Sequence, residues 1–146
     1  MPYTSPIDVM LLLIRAGDIL LALRDGTGYA DGLWNLPSGK LEAGEHALAA
    51  VLREAREEVG VHLGPADLRP AGTLHYRNPE GQGRLGLFFA ATADPDRHGE
   101  PVNAEPHKCA GIGWFPIGTL PPNTVPYTAE GVGLYLRGEP FGVAGW

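Results

Sequence analysis

The sequence predicts an α+β protein, because strand-like and helix-like hydrophobic periods alternate along the chain without repeating. Three observations carry this. Residues 8–15 and 18–24 are apolar runs joined by Ala16-Gly17, the pattern of a β-hairpin whose first strand is fully buried. Residues 45–59 place Leu48, Val51, Leu52, Ala55 and Val59 on one helical stripe about 100° wide, the mark of a helix laid on a sheet. Residues 126–137 open with Pro126 in the first helical turn, and this predicts a final helix ending at about Arg137.

The remaining elements follow in order. Residues 25–33, rich in glycine and aspartate, are loop chemistry. Trp34 to Pro37 is extended, since Pro37 keeps Leu36 out of the helical region. Ser38 to Gly44 is a second glycine-containing loop, and Gly60 suits a left-handed cap ending the helix 45–59. Residues 68–76 and 84–92 read as strands flanking the polar turn 77–83. Residues 93–107 form a proline- and charge-rich loop, residues 112–115 another strand, and Pro121-Pro122 a further break. With no internal repeat or linker, the expectation is one domain over 1–146. A chain of 146 residues buries roughly 70% of its unfolded surface, enough for a core without disulfides.

Composition narrows the function. With 44% hydrophobic and 19% charged residues the chain is globular, not disordered. Its 21 glycines and 14 prolines follow no period, which excludes collagen. A net charge of −6 argues against a nucleic-acid backbone or an anionic membrane as partner. It leaves room for a phosphate-bearing small molecule whose charge a metal ion balances. The longest apolar run, Val9 to Ile14, is too short to span a bilayer and lacks the basic flank of a signal peptide. One cysteine, Cys109, forms no intrachain disulfide, and this fits the cytoplasm.

The helix 45–59 has a second face that breaks a stability rule. Glu54, Glu57 and Glu58 share it, with Ala47 and Ala50 paving the turns before them. Glutamates at these spacings repel by roughly 0.2–0.5 kcal/mol per pair. They also stand near the negative end of the helix dipole, where acids cost about 0.3–1 kcal/mol each. A solvated face paired with Arg53 and Arg56 is one explanation. The other is a hard divalent cation, since Mg2+ takes oxygen ligands and bridges carboxylates to substrate phosphates.

The flanking residues favour the cation. Gly39, five residues, Glu45, seven residues, then Arg53-Glu54-Ala55-Arg56-Glu57-Glu58-Val59-Gly60-Val61 resembles the Nudix box of the Nudix hydrolases at every fixed position. Ala55 departs from the pattern as a small residue where a bulky aliphatic is usual. Trp34-Asn35-Leu36-Pro37-Ser38-Gly39 is similar to the family's lead-in, with Ser38 replacing a glycine. The segment Glu105 to Cys109 before Trp114-Phe115 also resembles nucleotide-cleaving members.

The resemblance implies a Nudix fold, a mixed β-sheet sandwiched between helices. It implies a pyrophosphohydrolase using Mg2+, with Mn2+ as the alternative ion, that cleaves a nucleoside diphosphate linked to another moiety. Glu54, Glu57, Glu58 and the Ser38 carbonyl match the metal ligands, with Glu54 and Glu58 the central pair. Gly39 lets the substrate loop pass close to the helix, Arg53 orients a glutamate, and Glu45 anchors the loop. The general base is Glu54 or a loop acid, for which Glu105 is the candidate; Arg24 is a candidate phosphate ligand. A small-molecule nucleotide is the implied partner, with the protein alone or as a homodimer.

Other residues get plainer readings. The five histidines lack zinc spacing, and Cys109 reads as a small buried side chain. Trp34, Trp114, Tyr76 and Phe88 are expected in the core before they are expected to stack on a base. Two rivals remain: an isomerase on this fold, which would need a cysteine near the pocket, and a non-catalytic nucleotide-binding module, which would have lost box glutamates. Motifs for coenzyme A, NADH, dinucleoside polyphosphates or ADP-ribose are missing: Tyr76 falls just short of the expected tyrosine position, and Arg77 stands where a proline would be expected. A nucleoside triphosphate or its oxidised form is favoured by elimination.

Overall fold

The computed structural model describes residues 1–146. Strand β1 (Ile7–Arg15) runs through the centre of a mixed sheet and contributes to both of its faces. Val9, Leu11 and Leu13 alternate with Met10 and Leu12, and all are buried. The first set packs with Ala50, Val51, Ala55 and Val59 of helix α1 (Ala47–Val59), the second with Val132 and Leu134 of a helix on the opposite side. This is why the run reads as continuously apolar: a strand buried on both faces has no polar side to show.

The other elements are β2 (Asp18–Arg24), β3 (Trp34–Asn35), β4 (Ser38–Lys40), β5 (Arg69–Arg77), β6 (Gly83–Thr92), the one-turn helix α2 (Pro95–His98), β7 (Cys109–Pro116), α3 (Pro126–Arg137) and β8 (Phe141–Ala144). The hairpin turn lies at Ala16-Gly17, both at positive φ, as a two-residue hairpin turn demands. β1 pairs with β6 in parallel along eight residues, and β5 pairs antiparallel with β6. Helices on both faces of a mixed sheet match the expected architecture. No helix is long and apolar enough to cross a membrane.

One topological feature positions everything that follows. On its other edge, β1 pairs with β2 only at Ile14 and Arg15. Lower down it pairs with β4 instead, Met10 opposite Ser38 and Val9 opposite Gly39. β2 meanwhile leaves to pair with β3 and β7. The sheet splits between β2 and β4, and a cleft opens there.

Four local expectations are corrected. α1 begins at Ala47, not Glu45, because the His46 ring nitrogen accepts the Ala49 N–H at 3.1 Å and caps the helix. Its buried stripe is rotated: Leu48 is exposed and Ala50 is buried, so the edge of the acidic face turns toward the sheet. Residues 38–44 and 93–107, expected as loops, contain β4 and α2. β8, not anticipated, pairs in parallel with β5 at the sheet edge. The Gly60 cap is left-handed at φ 68, and α3 spans 126–137, both as expected.

α3 seats on the sheet through Gly131, where a Cβ would collide with the Phe88 ring. Gly131→Ala should therefore destabilise the protein. Overpacking costs about 1–3 kcal/mol, and the better helix propensity of alanine returns at most about 1 kcal/mol. Chemical denaturation should show the lower midpoint; an increase would mean the ring moves aside freely.

Candidate active site

Glu54 and Glu58 project from α1 into the cleft, one helical turn apart. β4 lies so close that a Cβ on Gly39 would collide with the Glu54 carboxyl. That approach lets the Ser38 N–H donate to Glu58 Oε2 at 2.9 Å. Burial pushes the Glu58 carboxyl well above its ordinary value, the Ser38 N–H opposes this, and the Glu54 and Glu105 charges add to it. Glu54 is raised too, first by burial and against the pull of Arg53.

Arg53 organises the rest. Its Nε and Nη2 donate to Glu45 at 2.8 and 3.0 Å, a bidentate pair that ties the loop before α1 to the helix. Its Nη1 donates to Glu54 Oε1 at 2.7 Å and to Glu57 Oε2 at 3.3 Å. Glu45, then burial and Glu54, set the guanidinium's balance, and the net effect holds it still more firmly protonated. Glu57 is turned outward with 52% of its side chain exposed. No three acidic, histidine or cysteine side chains converge on one point. The structure thus brings Glu54 and Glu58 together and leaves Glu57 at the rim, neutralised by Arg53.

Glu105 arrives from across the cleft. Val102 N–H donates to the Val59 carbonyl at 2.9 Å and Ala104 N–H to the Glu58 carbonyl at 3.1 Å, fastening this loop to the end of α1. Asn103 then clamps it, donating to the Cys109 carbonyl at 2.8 Å and accepting the Glu105 N–H at 3.3 Å. The resulting cleft holds about 610 Å³ and is lined by Glu54, Glu57, Glu58, Glu105, Arg24 and Lys108 among others. Asn103 carried no motif signal, and Lys108 stood in the resembling segment 105–109 without a role of its own; the loop's place beside α1 reveals both.

Several expectations change in detail. Arg24 lines the cleft, but its Nε donates to the Tyr29 carbonyl at 2.8 Å and its Nη2 to Thr27 Oγ1 at 3.1 Å, so it also holds the loop 25–33 in place. Cys109 is only half-buried and stands on the cleft wall, its thiol donating to the Gly111 carbonyl at 3.1 Å. Phe88 is core, Tyr76 stacks on Tyr127, Trp34 meets Phe115 edge-on and Trp114 lies under Arg15. None of these four aromatics lines the acidic cleft.

This complete box on this fold defines a class. Residues 4–132 match the NUDIX domain, and the chain belongs to the Nudix hydrolase family. It is 35% identical over 100 residues to the CTP pyrophosphohydrolase of Escherichia coli, spanning 68% of this chain and 69% of that one. A Bacillus subtilis protein, provisionally named an 8-oxo-dGTP diphosphatase, is 33% identical over 129 residues, 88% of this chain and 78% of the relative. The chain spans only 33% of the human 8-oxo-dGDP phosphatase that it also matches. The crystal structure of a MutT NUDIX hydrolase from Burkholderia pseudomallei superposes with a TM-score of 0.78 at 26% identity, covering 90% of this chain and 98% of that one.

The raised carboxyls predict how stability depends on pH without divalent cations. A folded Glu58 that keeps its proton above 4.5, while the unfolded chain loses its own, makes the native state bind more protons. Stability should therefore fall as pH rises from about 4.5 through the raised values of Glu58 and Glu54. On the acid side the opposite holds for Glu45 and Asp67, whose lowered values make stability fall as pH drops through them. Urea midpoints between pH 4.5 and 8 should decline less in Glu58→Gln than in the wild type; parallel declines would show that Glu58 is not the source.

Proposed function

We propose that this chain is a divalent-cation-dependent pyrophosphohydrolase acting as one domain on a nucleoside triphosphate or an oxidised nucleotide. The observation that carries this reading is the buried Glu54–Glu58 pair facing Glu105, with the one cation that touches the pair, Arg53, already committed to Glu45. A buried acidic pair with a third carboxylate across the cleft costs stability and offers none in return. The oxygen-only donor set suits a hard ion such as Mg2+, with Mn2+ the alternative. Glu54, Glu58 and the Ser38 carbonyl would hold it, with Glu57 reaching in from the rim. When bound, such an ion neutralises phosphate charge and lowers the pKa of a bound water.

The chain's own residues supply the remaining chemistry. Arg53, anchored by Glu45, fixes the Glu54 carboxyl so that the acidic pair keeps its geometry. Arg24 and Lys108, on the cleft walls, offer charge to the phosphates. Water's oxygen bonds to phosphorus, the P–O–P bridge breaks, and the bridging oxygen leaves on the other phosphate. Glu105 takes the water's proton, held at the right side of the cleft by Asn103. The enzymes among its relatives support hydrolysis over a binding-only module. Cys109 at the cleft wall does not turn the reading toward an isomerase, because the acids around it belong to the hydrolytic box.

Two measurements test this. Glu58→Gln should lower kcat on the order of a hundredfold to ten-thousandfold while the protein stays folded, read as phosphate products released across a Mg2+ titration. Wild-type turnover in that variant at saturating Mg2+ would refute the assignment. Glu105→Gln should lower kcat and kcat/KM together by ~10²–10⁴, leaving KM and the Mg2+ midpoint unchanged. Full activity across the pH range would pass the role of base to Glu54.

A further inference from the structure

A second cleft of about 540 Å³ opens beside the first and shares Arg24, Asn35 and Ser38 with it. Its floor carries an ion pair that the hydrolytic reading leaves unused. Arg84 Nε donates to Asp8 Oδ2 at 2.9 Å and its Nη2 to Asp8 Oδ1 at 2.8 Å. The Tyr127 hydroxyl donates to the same Oδ2 at 3.0 Å. The side chains are 19% and 10% exposed. Buried pairs of this kind are often matched in stability by apolar residues, so the fold alone does not explain this one.

The hydrogen-bond inventory shows what this floor offers a ligand. Asp8 already accepts three hydrogen bonds. Arg84 has spent Nε and one Nη2 hydrogen, and Nη1 meets no protein acceptor although the side chain lines the cleft. Asn35 is oriented unambiguously, because the Leu36 N–H donates to its Oδ1 at 2.9 Å and the Thr128 hydroxyl donates to the same oxygen. Its amide nitrogen is left as donor, with one hydrogen on Ser38 Oγ at 3.3 Å. The fixed groups at the floor are therefore donors. At the rim, the Tyr29 ring is 62% exposed and offers a face for stacking.

Resting on the reading that the acidic cleft takes the phosphates, we propose that the second cleft takes the base, and that Arg84, locked by Asp8, selects purines presenting a keto oxygen beside N7 over those presenting an amine there. The exposed Tyr29 at the rim gives this cleft a stacking face that a base uses and a phosphate does not. The free Arg84 edge suits a carbonyl oxygen beside a ring nitrogen, the pairing arginine makes with guanine. An amino group there would set N–H against N–H and leave a desolvated guanidinium unpaired.

Matched purine nucleotides test this, since ITP and GTP carry a keto oxygen beside N7 where ATP carries an amine. ITP and GTP should each be preferred over ATP in kcat/KM by about tenfold to hundredfold. Arg84→Lys keeps a cation against Asp8 but loses the flat donor edge; both ratios should fall toward one in protein that circular dichroism shows to be folded. A wild-type ratio near one or inverted, or an Arg84→Lys that lowers all three substrates equally, overturns the proposal. If none of the three is hydrolysed, the catalytic reading fails, and equilibrium binding of the same nucleotides still decides the base preference by the same ratios.

Discussion

The site depends on one close approach, the backbone of β4 against the acidic face of α1. Gly39 is the residue that allows it, since any side chain there would occupy the space of the Glu54 carboxyl. Only at that distance can the Ser38 N–H reach Glu58 and give a buried carboxylate one favourable partner. The approach in turn requires β4 to take the place of β2 beside β1, and so the sheet must split. Fold and site are one arrangement here: the strand exchange that opens the cleft also delivers the glycine that narrows it around the carboxyls.

Charge is distributed along α1 to make that contact tolerable. Arg53 satisfies Glu45 outside the cleft and touches Glu54 and Glu57 within it. One guanidinium thus joins the loop 42–45 to the helix and offsets two of the three box glutamates. Glu58 lies beyond its reach, and burial pushes it well above its ordinary value, as it should a carboxyl with a single N–H partner. The alanines of α1 serve the same end. Ala50 and Ala55 are fully buried, and their small side chains let the helix sink toward the sheet on the side that bears the acids. Ala55, which departs from the box pattern, belongs to that packing and not to the chemistry.

Much of this was legible in the residues, and the failures have physical causes. β1 and α1 were visible because both lie against a core, and burial writes its period into the sequence. The box made the acidic cluster legible because seven fixed positions are hard to meet by chance. The rotation of α1 was not visible: a wheel drawn for the most apolar stripe puts Leu48 inward, whereas the helix turns partly charged flesh toward β4 because Gly39 leaves room. β8 escaped because Phe141 and Val143 point outward and their partners Gly142 and Ala144 are small, so no buried alternation marks the strand. Asn103 escaped because its side chain bonds only to main-chain groups of its own loop, a role that composition and motif spacing do not record.

The two clefts differ in how each fixes its polar groups, and that difference follows from the split sheet. On the α1 side, acids are left without enough partners, so their charge stays available to whatever enters. On the α3 side, Asp8 is saturated by Arg84 and Tyr127, and the groups left over are donors. Ser38 and Asn35 stand where these surfaces meet, joined by a hydrogen bond, and Asn35 is held in turn by Thr128 of α3. A shift of β4 would therefore move the carboxyl pair and the donor floor together. A ligand spanning both clefts meets one rigid ruler, with anionic groups measured from Glu58 and the opposite end measured from Arg84. Preorganisation of this kind lets contacts remote from the bond being broken contribute to orientation at that bond.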